Sequence, residues 1–272
     1  MRNHKVLLMI LLMVSSTNLI AQVNCYLYEE GSDCFKACRE TEKAMTNYSG
    51  DLKFQKSLLK AIELCPTFDM AYFELSVNYA KRGMLPEWKK LIDQAVEISP
   101  ERHLGWRGWY HWFFAHNYEK AIADIDSLDT LVDYDLGTTG DGKYHLNILK
   151  GLCYKGLGDS KKALQIIERC MNDPEYYQGV YDYLHLGVLY LEMNQPEKAL
   201  AALETQNAYD EISEAYFYSA KAHLLAGNKA KAKDFLNTAL EMYDIGKAMY
   251  DPYREFPDEI YRVDILELQS GL

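Results

Sequence analysis

Residues Asp69–Arg102 read DMAYFELSVNYAKRGMLPEWKKLIDQAVEISPER, and the spacing of their large side chains decides what kind of chain this is. Tyr72, Leu75, Ser76 and Tyr79 follow at steps of three, one and three, the period of one helical face. Gly83 breaks the run, Trp88, Ile92 and Ala95 form a second stripe, and Pro100 closes it. The pattern predicts two amphipathic helices folded back on each other at a glycine turn. The same landmarks return one unit later, with Pro66 answered by Pro100, Tyr72 by Trp106 and Tyr79 by Phe113.

This register resembles the tetratricopeptide repeat, a helix-turn-helix unit of about 34 residues. Trp88 departs from the small Ala usual in the family, which implies a slightly splayed hairpin. The resemblance implies an all-α fold, a right-handed superhelical α-solenoid of about six such units with a C-terminal capping helix. Residues 1–21 read as a signal peptide, 22–68 as a degenerate capping repeat, 69–128 and 144–246 as repeats, and 129–143 as an inserted loop; 247–272 hold a turn and the cap. In the third unit Trp106, Trp109 and Phe113 take the inward positions, which leaves Trp112 outside. Later units run through Gly151, Tyr154 and Ala163, then Tyr183, Gly187 and Ala199, then Tyr216, Ala220 and Ala232. Their small residues let paired backbones approach closely. After Gly246, Asp251-Pro252-Tyr253 reads as a turn and Phe256-Pro257-Asp258-Glu259 as the start of a last helix, whose Ile260, Val263 and Leu266 would cover the sixth pair.

Composition narrows the function. The 272 residues are 49% hydrophobic, enough for a continuous core, and 22 tyrosines suit helix pairs wedged by aromatic rings. Arg2 and Lys5 precede the apolar block Val6–Val14, and a polar stretch leads to Ala21, the order of a secretory signal. The block is too short to span a bilayer. Cys25 follows Gln22-Val23-Asn24, without the small residues of a lipoprotein site, so the mature chain is expected to be periplasmic or extracellular. Without Arg2 and Lys5 the formal charge moves from -11 to -13, which repels nucleic acid and anionic membranes.

Four of the six cysteines, Cys25, Cys34, Cys38 and Cys65, cluster around the first helix pair, as a disulfide framework would. Antiparallel packing sets the start of one helix beside the end of the next, so Cys65 pairs with Cys34 or Cys38, and Cys25 takes the other. Cys153 and Cys170 are expected as buried free thiols. The acidic, glycine-rich stretch 126–143 lacks the order of a calcium loop and reads as solvated. No His-Glu-x-x-His, Gly-x-Ser-x-Gly, phosphate loop, dinucleotide loop or usefully spaced Cys-His pair is present, so neither catalysis, metal nor cofactor is expected.

In the resembled family the first helix of each unit lines a concave groove. The matching positions here are Met70, Phe73, Val77, Arg107, His111, Phe114, Ile148, Leu152, Tyr181, Leu184, Val188, Phe217 and Lys221. Phe73 and Val77 stand where chaperone-binding members clamp a carboxylate, which leaves Arg107 with His111 for that task. An open apolar stripe of this kind implies an adaptor that binds a protein or peptide of the cell envelope. The alternatives are a glycan or small-molecule site on the aromatic stretch Trp106–Phe114, and self-association through Trp112 and Phe114.

Overall fold

The computed structural model describes residues 23–272; the signal peptide expected at 1–21 lies outside them. Among the described residues the regular structure is helical apart from one isolated bridge, Thr138 to His145, and no helix is long and apolar enough to cross a membrane. The chain forms two compact units, divided between Asn78 and Tyr79.

The N-terminal unit holds a short 3-10 turn at Cys25–Leu27, α1 (Asp33–Met45), α2 (Leu52–Leu64) and the first part of α3 (Asp69–Lys81). Ser32 begins α1 by accepting a hydrogen bond from the Phe35 amide at 3.1 Å, which satisfies one of the helix's orphan donors. Ala37, Cys38, Thr41 and Ala44 then bury one face of α1 against Phe54, Leu58 and Ala61 of α2. Cys34, in the first turn of α1, lies beside Cys65 with Sγ atoms 2.06 Å apart, while Cys38, one turn deeper, lies 1.94 Å from Cys25. Of the two pairings the sequence leaves open, the protein adopts Cys34 with Cys65.

The second unit carries the end of α3, α4 (Leu85–Ile98), α5 (Pro100–Phe113), α6 (Tyr118–Leu131), α7 (Leu146–Gly156), α8 (Ser160–Met171), α9 (Asp182–Glu192), α10 (Pro196–Tyr209), α11 (Ser213–Leu225), α12 (Lys229–Asp244) and α13 (Arg262–Ser270). Helices pack in consecutive pairs, α5 with α6, α7 with α8, α9 with α10 and α11 with α12, and each pair packs on the next. Asn117, Asp159 and Asn228 cap α6, α8 and α12, each accepting from the amide three residues on at 3.0 to 3.2 Å. Close approach inside a pair is literal at two glycines. A Cβ on Gly151 would stand 2.5 Å from Ile167, and one on Gly187 would stand 2.7 Å from Leu203.

Three expectations are corrected. The last helix starts at Arg262 rather than near Phe256, because residues 247–261 leave the helical path altogether. Ile260 and Ile265, not Val263 and Leu266, cover the sixth pair: the first two are buried against Phe217, Leu236 and Ala239, and the other two are exposed. The segment between α6 and α7 is also more than solvated loop. Gly140 lies against the Trp106 ring so closely that a Cβ would sit 1.9 Å from it, Thr139 donates its amide to Tyr144 O at 2.7 Å, and the Tyr144 side chain is fully buried.

Candidate functional site

The first helices α5, α7, α9 and α11 present one face, and that face is already occupied. Residues 247–261, a strap, run out across it from α11 to α5 and return to the last pair. Ser213 donates its amide to Lys247 O at 2.8 Å, and Glu214 Oε1 accepts from the Met249 amide at 3.0 Å. Asp251 lies 3.5 Å from Lys143 Nζ. At the far end Tyr253 meets the Phe114 ring edge-on at 6.2 Å, and the Arg254 guanidinium lies 3.8 Å over the Trp112 ring. On the return Phe256 packs against Tyr181 at 5.7 Å beneath Lys143 Nζ, 4.3 Å from its ring.

Asp258 is the innermost anchor. Its Oδ2 is 2.7 Å from His185 Nδ1 and its Oδ1 is 2.5 Å from Lys155 Nζ, while His185 Nε2 is 3.1 Å from the Tyr144 hydroxyl. Burial raises the Asp258 carboxyl's pKa, but the charge of Lys155 and the hydrogen bond of His185 outweigh it, so the group lies below its ordinary value. The anchor therefore stabilises the closed strap above the ordinary carboxyl range, and that contribution is lost as pH falls through the lowered pKa.

The expected open groove is thus corrected at most of its positions. Phe73, on α3 in the N-terminal unit, is buried, and its neighbours Met70 and Val77 are half-buried. In the second unit Ile148, Leu152, Leu184, Val188 and Phe217 are buried, and Tyr181 and Phe114 are half-buried against the strap. Lys221 stays exposed, with its Nζ over the Phe217 and Tyr218 rings. Beside it a cleft of about 490 Å³ remains open, lined by Val188, Leu191, Tyr218 and Leu224. Arg107 is spent on its own neighbours: Nε and Nη2 grip Asp124 at 2.9 and 2.6 Å, and Nη1 reaches Asp93 at 2.9 Å. His111 is buried edge-on to Trp88 at 5.0 Å, and burial, with Arg107 nearby, lowers its pKa to about 4. The pair therefore offers no clamp for an external carboxylate. Trp112, read as an outer residue, is 1% exposed, so this ring is not available to a glycan or to a second copy in this form.

Family models place tetratricopeptide repeats at residues 144–172, 183–211 and 214–244. Solved structures are similar over much more of the chain. PilF of Pseudomonas aeruginosa aligns with TM-score 0.63 and 13% identity over 88% of this chain and 98% of that one. PilW, described as a widely conserved type IV pilus biogenesis factor, aligns with TM-score 0.60 and 16% identity over 78% of this chain and 96% of its own. The chain carries tetratricopeptide repeats. YrrB, a tetratricopeptide-repeat protein with an unusual peptide-binding site, is also similar, with TM-score 0.54 and 16% identity over 71% of this chain and 95% of that one. No curated protein matches the sequence.

One constellation in this tetratricopeptide-repeat protein has the outline of a catalytic relay that the sequence search missed. Cys170 Sγ is 3.4 Å from His145 Nδ1, and His145 Nε2 is 2.8 Å from Asp135 Oδ1, at the edge of a cleft of about 340 Å³. The residues are far apart in the chain, so no spacing rule could have found them. Burial pushes the Cys170 thiol up to about 12, and His145 Nδ1 already accepts from the Asn147 amide at 3.1 Å. The thiol is protonated at neutral pH, which is the wrong state for a nucleophile.

Glu214 gives the strap a second pH dependence. Its side chain is fully buried, and burial raises its pKa to about 7. A raised carboxyl binds its proton more tightly when folded, so its contribution is complete below the ordinary value and is lost as pH rises to 7. Glu214→Gln keeps an oxygen for the Met249 amide and removes the charge. Urea denaturation should show the wild type losing about 3 kcal/mol relative to this variant between pH 4.5 and 8. Parallel pH profiles would exclude the assignment.

Proposed function

We propose that this tetratricopeptide-repeat protein is a non-catalytic protein-protein interaction adaptor that works outside the cytoplasm and grips an extended segment of a cell-envelope partner along its first helices. One observation carries this reading: the face formed by α5, α7, α9 and α11 already holds a non-helical segment, residues 247–261, through side-chain anchors as well as apolar contact. A surface built only as a core would bury apolar side chains without a cation perch, an aromatic slot and a paired carboxylate in series. The peptide-binding description of YrrB and the pilus-biogenesis description of PilW support a binding role of this kind. The acidic surface and the two cysteine pairs near the N-terminus support an exported, oxidised chain.

A photo-crosslinking residue placed at the exposed position 221 in native cells is expected to capture a protein partner that the same residue at exposed position 233, on the second helix of the pair, does not. Equal capture from both positions would contradict groove binding. Export is tested separately by thiol titration of the denatured, unreduced mature protein, which should report two thiols, Cys153 and Cys170. Finding all six thiols free would contradict an oxidising location.

A further inference from the structure

Resting on the adaptor reading, we infer that the strap is a resident stand-in for the partner, and that the groove selects segments of the form Arg-x-Phe-x-Asp, as Arg254, Phe256 and Asp258 present it. The three side chains sit at alternate positions of the strap, and a turn at Pro257-Asp258 carries the last of them inward. Each enters a distinct subsite. Arg254 lies 3.8 Å over Trp112 and its Nη1 donates to Trp112 O at 3.4 Å, a cation perch with no ion pair to a carboxylate among the described residues. Phe256 fills the slot at Tyr181, and Asp258 enters the pocket formed by the Lys155 ammonium and the His185 ring. The groove is thus complementary to a positive, an aromatic and a negative side chain in that order.

Two features mark the strap as replaceable. Asp258 holds φ at 64°, in the left-handed region that residues with a side chain rarely adopt. Arg254 is half-buried and meets no carboxylate among the described residues, and burial lowers its pKa. A separate segment that brings its carboxylate to the same pocket without a left-handed residue, and that carries a second carboxylate beside its arginine, would bear neither feature. Against this, the tether behind Gly246 gives the strap an effective concentration on the order of millimolar, so a partner reaches the groove in proportion to the open fraction.

The test uses a fluorescent synthetic peptide with the sequence of residues 249–261, the full chain and its variant Arg254→Ala/Asp258→Ala, which weakens the strap and leaves the groove intact. The peptide is expected to bind the variant at least ~10-fold more tightly than the wild type. Replacing its Arg and Asp by Ala should cost at least ~10-fold, and scrambling should cost as much. If the double variant does not fold, the near-isosteric Asp258→Asn takes its place. A scrambled peptide that binds equally well while strap amides exchange locally would overturn the inference and leave the adaptor reading standing. Strap amides that exchange only with global unfolding would overturn both. A wild-type dimer in light scattering with protected strap amides would assign the groove to a second copy's strap and overturn the partner assignment.

Discussion

Replacing Trp112 by Ala should cost about 3 to 5 kcal/mol in the stability of the second unit, the usual range for deleting a buried tryptophan. Trp112 is 1% exposed, meets Tyr144 edge-on at 5.5 Å and carries the Arg254 guanidinium on its face. The deletion therefore opens a cavity and removes the perch that holds the far end of the strap. At this size each kcal/mol is worth roughly 2 to 4 °C, so the midpoint should fall by roughly 6 to 20 °C. The amides of residues 249–258 should exchange faster than those of α9 and α11. An outward-facing Trp112 would cost at most about 0.5 kcal/mol, so a small effect would remove the strap's far anchor from the account.

Breaking the Cys34–Cys65 bridge should unfold the N-terminal unit while leaving the other one intact. The bridge closes a loop with a sequence separation of 31, which in the chain-entropy account stabilises by about 4 kcal/mol. A core of this size supplies roughly 3 to 5 kcal/mol by itself, so little remains after that loss. Cys34→Ala/Cys65→Ala should abolish hydrogen-exchange protection in α1 and α2. All four tryptophans lie beyond Asn78, at 88, 106, 109 and 112, so the fluorescence transition should stay where it is. A shift of that transition equal to the loss in α1 and α2 would mean that the units unfold together.

The helix pairs were legible because their information is local. Tyr183, Gly187 and Ala199 declare their faces through spacing alone, and Gly187 leaves no room for a Cβ against Leu203. The first helices could be aligned for the same reason. The clustering of Cys25, Cys34, Cys38 and Cys65 was visible, although choosing between Cys34 and Cys38 for Cys65 required the height of each residue on α1.

What covers the groove was not legible. Residues 247–261 have no helical or strand period, and each of their anchors is a long-range meeting: Arg254 with Trp112, Met249 with Glu214, Asp258 with His185 and Lys155. A charge on a non-periodic segment looks the same in sequence whether it faces water or a buried partner. The sequence by itself determined the stacked helix pairs, because helical period and small residues act between neighbours in the chain. Only the tertiary structure decided that residues 247–261 fill the first-helix face, because pairing across so many residues depends on where the completed stack places each side chain.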